Sequence, residues 1–128
     1  GRRIRDGKDV AILSIGPIGN IVEKAIEELN KSIAHYDMRF VKPLDGKLLQ
    51  EVAEQFKTII TIEDGAKDGG MGSAVSEWMN DHNYSPRIIR LGLPDKFVEH
   101  GTVDELFEAC GISKDAIKKV IYQITNDA

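Results

Sequence analysis

Cysteine is almost missing: Cys110 is the only one in 128 residues. No internal disulfide can form, and a reducing, cytoplasmic setting fits best. Aromatic residues make up only 6%, and no stripe of alternating basic and aromatic side chains marks a nucleic-acid surface. Positive charge is not in excess either. The chain has 17 Lys and Arg against 21 Asp and Glu, a formal net charge of −4. That balance argues against a phosphate-backbone binder, so no nucleic-acid partner is expected. No apolar run approaches the length of a membrane span, so no membrane partner is expected. A secretory leader pattern is lacking too, and the first residue is Gly1 rather than Met, as in a piece excised from a longer chain. His35, His82 and His100 are far apart, and none stands in a two-histidine metal spacing. No internal repeat or low-complexity segment occurs.

What is present is an ordinary globular composition, with 41% hydrophobic and 30% charged residues. One domain of this length buries roughly two thirds of its unfolded surface, enough for a real core. Two patterns alternate along it. Val10 to Ile15 is a short apolar run, the signature of a strand buried on both faces. Gly16, Pro17 and Gly19 break it, and Ile21, Val22, Ala25, Ile26 and Leu29 follow at helical spacing. Met38 and Phe40 alternate with Asp37 and Arg39, which predicts a strand over Tyr36 to Val41, closed by Pro43. Asp45 is placed to cap a helix carrying Leu48, Leu49, Val52, Ala53 and Phe56. Thr58 to Ile62 is β-branched throughout and reads as a strand. The glycine-rich stretch Gly65 to Gly72 leads into a helix with Ala74, Val75, Trp78 and Met79 on one face, with His82 at its end. Arg87 to Leu91 reads as a fourth strand. Thr102 opens a capping box for a short helix ended by Gly111, with Cys110 as a small buried residue. Ser113 is placed to cap a last helix with Ala116, Ile117, Val120, Ile121 and Ile124 inward.

Alternating strands and helices with short connections predict an α/β fold, a three-layer α/β/α sandwich around a mainly parallel sheet. Residues 1–8 read as a linker or an edge strand from a preceding domain, and 9–128 as a single domain. Ligands of such sheets bind beyond the strand C-termini. The loops Gly16 to Gly19, Lys42 to Asp45, Glu63 to Gly72 and Gly92 to Gly101 all fall there, so that edge faces a ligand or another protein surface. Glycines before a helix expose N–H groups that can bind an anion. Yet the loop from Glu63 to Ser73 has no Walker A spacing, and Gly70-Met71-Gly72 is half a dinucleotide fingerprint. The plainer reading, a tight turn that packs the helix close to the sheet, is favoured. Asp37 and Arg39 share a strand face in this reading; Arg39 is either an anion clamp or, as favoured, one member of a local ion pair. His100 lies in an edge loop but lacks a recognisable proton-transfer partner. The candidate interface or anion-facing residues are therefore Arg39, Glu63, Gly70, Gly72, Ser73 and His100. No catalytic, cofactor-binding or metal-binding residue is assigned.

Four blocks add more. Asp37-Met38-Arg39-Phe40-Val41-Lys42-Pro43-Leu44-Asp45 closely resembles a signature of the 1-deoxy-D-xylulose-5-phosphate synthase family. Thr61-Ile62-Glu63-Asp64-Gly65 with Gly69 to Val75, Leu91 to Gly101, and Gly7 to Gly16 resemble three further blocks, in the family's order. The resemblance implies the transketolase C-terminal fold, with a five-stranded mixed sheet in which one strand is antiparallel. The fifth strand comes from Arg3-Ile4-Arg5 or from Lys96-Phe97-Val98. It also implies a non-catalytic domain that supports a homodimer and the active-site architecture alongside the preceding catalytic domains of the same chain. The full-length family condenses pyruvate with glyceraldehyde 3-phosphate, for isoprenoid, thiamine and pyridoxal synthesis. Its thiamine diphosphate and magnesium are gripped by a Gly-Asp-Gly motif in an earlier domain. Glu63-Asp64-Gly65 lacks the leading glycine, so no cofactor is assigned to this domain. The alternative is a docking or anion-binding domain of another transketolase-like enzyme, such as a pyruvate dehydrogenase beta subunit.

Overall fold

The computed structural model describes residues 1–39, 44–63, 70–92 and 114–126. In chain order these form β1 (Arg2–Arg5), β2 (Val10–Ser14), α1 (Ile18–Glu27), β3 (Ile33–Asp37), α2 (Gly46–Gln55), β4 (Thr58–Glu63), α3 (Met71–Asp81), β5 (Arg87–Gly92) and α4 (Lys114–Asn126). The strands make one five-stranded sheet in the order β1-β3-β2-β4-β5. β1 is antiparallel to β3, and every other pair is parallel. The α/β sandwich and the mixed sheet are as the sequence predicts, and Arg3-Ile4-Arg5 supplies the fifth strand. Lys96 to Val98, Thr102 to Gly111 and Ser113 lie outside the described residues.

Side-chain alternation along the strands explains the three layers. Val10, Ile12, Ile33, Ile60 and Ile62 face one way, onto Ile18, Val22, Ala25 and Ile26 of α1 and Ile117, Ile121 and Ile124 of α4. Ala11, Leu13, Ala34, Tyr36 and Ile59 face the other way, onto Leu48, Leu49 and Val52 of α2 and Met71, Val75 and Met79 of α3. A sheet covered on both faces needs strands that are apolar on both, which is what β2 and β4 offer. Asp45 caps α2 as its position implies, accepting the Leu48 N–H at 3.1 Å. That hydrogen bond holds its carboxyl below the usual range. At the far end of α3, His82 Nδ1–H donates to the Trp78 carbonyl at 2.8 Å and stacks on the Trp78 ring.

One strand differs from expectation. β3 runs over Ile33–Asp37, not Tyr36 to Val41. Met38 lies beyond the strand end, and Phe40 and Val41 lie outside the described residues. Pairing with β2 matches Val10 to Ile33 and Ser14 to Asp37, so the ladder is used up at Asp37. Met38 still donates its N–H to the Ser14 carbonyl at 2.9 Å. Arg39 then turns the chain with φ at 59°, in the left-handed region where an extended strand cannot continue. The true strand was masked because His35 interrupts an otherwise apolar run.

The connections from β2 and β4 leave toward opposite faces, α1 into one core and α3 into the other. Since β2 and β4 are neighbours, their C-termini mark the switch point beyond which open α/β sheets bind ligands. Gly16, with φ at 84°, makes the left-handed step that lets the chain turn from β2 into α1. Ile12 is fully buried in the central strand. Ile12→Ala is expected to lower unfolding free energy by about 2–5 kcal/mol in urea denaturation, and a loss under about 1 kcal/mol would contradict this core assignment.

Candidate functional site

At this switch point, the last residue of β4 meets the first turn of α3. Gly70 precedes α3 and has no side chain to cap it, and no acidic residue lies in the first turn. The first N–H groups of a helix need acceptors, and the helix dipole favours a negative one. Glu63 supplies both from the strand. Its Oε1 accepts the Met71 N–H at 2.8 Å and its Oε2 accepts the Gly72 N–H at 2.6 Å. The carboxylate thus takes the place that a bound phosphate or carboxylate ligand would take at a helix N-terminus.

The glycines follow from this contact. A Cβ on Gly70 would run into the Glu63 carboxylate. A Cβ on Gly72 would stand 2.7 Å from Arg90 Nε and 3.0 Å from Thr61 Oγ1. Both positions need glycine because other atoms fill the space, not because the backbone takes an unusual φ. Arg90 Nη2 reaches over from β5 to donate to Ser73 Oγ at 2.6 Å, which ties the third residue of α3 to the neighbouring strand. Thr61 Oγ1, buried beneath Gly72, has no hydrogen-bond partner among the described residues.

Of the six residues singled out in the sequence, Glu63, Gly70, Gly72 and Ser73 come together here. Arg39 does not join them. It follows β3, is exposed, and donates its backbone N–H to Asp37 Oδ1 at 3.0 Å. Asp37 and Arg39 therefore do not share a strand face, because Arg39 has already left the strand. His100 lies outside the described residues. Arg90 and Thr61 went unnoticed in the sequence because each sits in a strand that reads as ordinary β-branched pattern. A second polar group was also missed: Ser14, His35 and Glu23, joined by hydrogen bonds on the α1 side of the sheet. A buried polar residue inside an apolar strand requires a partner, and that requirement was the available signal at Ser14 and His35.

Among the described residues, the donor set at the α3 N-terminus does not fit a diphosphate. The α3 N–H groups that would bind one already hold a carboxylate, and a second anion there would face its repulsion. Among the described residues no group of three or more His, Cys, Asp or Glu converges to hold a metal ion. None of the described helices is long and apolar enough to cross a membrane. The arrangement fixes one helix tightly against two strands. Glu63→Ala, which leaves two N–H groups uncapped, is expected to cost about 1–2 kcal/mol. Gly70→Ala is expected to cost about 1–3 kcal/mol through overpacking. Because the clash is with the carboxylate, the double variant should lose less than the two losses added. Strict additivity in denaturation experiments would contradict the contact.

Comparison with known proteins places this geometry. Residues 1–117 match the family described as "Transketolase, C-terminal domain". The 1-deoxy-D-xylulose-5-phosphate synthase of Bacteroides thetaiotaomicron is 57% identical over 123 residues, which cover 93% of this chain and 19% of that protein. The synthase of Cytophaga hutchinsonii is 51% identical over 128 residues, 98% of this chain and 20% of its own length. The chain spans about a fifth of the curated relatives it matches, and these matches favour the synthases over the pyruvate dehydrogenase alternative. Among solved structures, a split-gene transketolase, titled as an inactive beta4 tetramer, superposes with a TM-score of 0.82 at 28% identity. That match covers 98% of this chain and 42% of the other. The chain belongs to the transketolase C-terminal domain family, and within it matches the C-terminal region of 1-deoxy-D-xylulose-5-phosphate synthases.

Proposed function

We propose that this chain is the C-terminal, non-catalytic domain of a 1-deoxy-D-xylulose-5-phosphate synthase, a transferase that condenses pyruvate with glyceraldehyde 3-phosphate. The observation that carries the reading is 57% identity across 93% of the chain to a protein of that name. In this proposal the enzyme is a cytoplasmic homodimer, and its thiamine diphosphate and magnesium are held by the preceding domains. Thiamine diphosphate supplies carbanion stabilisation when bound. Residues 1–8, which contribute β1, join the domain 9–128 to those preceding domains.

The role of this domain is architectural. Among the described residues at the tips of β4 and β5, Glu63 neutralises the α3 N-terminus and Arg90 is engaged by Ser73. Such a surface suits docking against the reacting domains better than it suits a phosphate. Arg39, exposed beyond β3, and His100 are the residues proposed to face that interface.

A chimera tests this. The corresponding region of the Bacteroides thetaiotaomicron synthase is replaced by this chain, and pyruvate decarboxylation is measured with triose phosphate present. Activity within about tenfold of the parent is expected, whereas the chain alone should turn over neither substrate. A folded, dimeric chimera without activity would overturn the assignment, as would turnover by the chain alone.

A further inference from the structure

His35 is fully buried in β3, yet both ring nitrogens are satisfied. Nδ1 lies 2.9 Å from Glu23 Oε2 and Nε2 lies 2.7 Å from Ser14 Oγ. An ionised carboxylate only accepts, so Nδ1 carries the proton, Nε2 is the acceptor, and the Ser14 hydroxyl donates. Glu23 also accepts from Arg5, from Nε at 3.3 Å and Nη2 at 3.2 Å. The chain of bonds thus runs from edge strand β1, through α1 and β3, to the tip of β2. Serine, histidine and carboxylate stand in the order of a hydrolytic triad. However, Ser14 is 1% exposed and sits directly beneath Gly19, so no substrate reaches it. The arrangement ties elements together instead.

Besides its ladder to β3, β1 is held on the α2 side by the Gly1 ammonium on Asp45 at 3.1 Å and by Arg3 on Glu51 at 3.7 Å. Arg2, Arg3 and Ile4 are exposed, and only Arg5 is half-buried. The ladder to β3 is irregular between Arg3 and Arg5. Arg5 is consequently the residue that fastens β1 to the α1 layer, through Glu23 and, at 3.8 Å, Glu27. The charged groups around His35 are Glu23 from α1, Arg5 from β1 and Asp37 on β3 itself, while β2 presents the neutral Ser14. Burial pushes the His35 pKa down, Glu23 and Asp37 oppose that, and Arg5 adds to it. Burial acts to raise the Glu23 pKa, but hydrogen bonds from Arg5 and His35 outweigh it and hold it low.

A protonated His35 and a docked Arg5 compete for one carboxylate and repel each other. Linkage then makes each weaken the other. We propose that the Ser14–His35–Glu23–Arg5 chain is a proton-sensitive clasp on β1: with His35 neutral the strand is docked on the α1 layer, and a proton taken up at Nε2 loosens Arg5 and frees β1 from that layer. Protonation also removes the acceptor of the Ser14 hydroxyl at the tip of β2, so the effect extends to the turn that begins α1.

The direction in pH follows from the signs. The His35 pKa is lowered from its ordinary 6.5 on folding. Its contribution to stability is therefore full above that value and is lost as pH falls through the folded pKa. Glu23, also lowered on folding, acts the same way below its ordinary 4.5. Ring nitrogen NMR of His35 and hydrogen exchange of β1 amides, followed downward from about pH 7.5 until the imidazole has titrated, test this. β1 protection should fall about tenfold relative to β4 as His35 titrates. Arg5→Gln, a change at a half-buried surface position, should raise the His35 pKa, and His35→Gln should abolish the pH step. If β1 protection stays level through the His35 titration, or if Arg5→Gln leaves that titration where it was, the clasp is disproved. Should His35→Gln fail to fold, the Arg5→Gln titration still decides.

Discussion

The carboxylate of Glu63 against the N-terminus of α3 is the contact on which the rest of this edge depends. A helix end carries unsatisfied N–H groups and partial positive charge, and it must be answered by water, a ligand or the chain itself. Here the chain answers, with two bonds of 2.8 and 2.6 Å from the end of a neighbouring strand. That solution requires glycine at positions 70 and 72, because the space of a Cβ is taken by Glu63 in one case and by Arg90 and Thr61 in the other. It also brings α3 close enough for Met71, Val75 and Met79 to seal one core. A feature that resembles an anion-binding loop in sequence is therefore a self-satisfied joint in three dimensions.

The layers and most elements were legible in the sequence because burial on both faces leaves a simple mark. Val10 to Leu13 is a continuous apolar run, Ile59 to Ile62 is β-branched throughout, and the helices carry apolar stripes at their own period. The third strand was misplaced by three to four residues because His35 breaks its apolar run while Met38 and Phe40 imitate one. Register with β2 decides the matter, and register is a long-range property that local pattern does not contain. For the site, the cluster of Glu63, Gly70, Gly72 and Ser73 could be picked out as an edge loop. The partners that give it meaning, Arg90 and Thr61, come from other strands at separations that spacing does not reveal. The tight turn favoured in the sequence has its reason here: the N–H groups that these glycines advertise are already occupied by Glu63.

The two polar systems of the domain sit on opposite sides of the central pair of strands. Glu63 serves the α3 side, and Ser14 with His35 and Glu23 serves the α1 side. Both end at the tips of β2 and β4, where the helix connections diverge. In a family that joins this domain to larger partners, a firm tip and an adjustable edge strand have separate uses. The first presents a fixed surface for docking, and the second couples strand attachment to protonation of a single buried imidazole.

The central claim is that the α3 N-terminus is closed to outside anions by the chain's own carboxylate. Amide NMR of the protein during titration with magnesium and thiamine diphosphate, and separately with inorganic phosphate, tests it most directly. The account predicts that the Met71 and Gly72 resonances stay in place throughout both titrations. Saturable shifts of those two amides would show that Glu63 yields its position to a ligand and would contradict it.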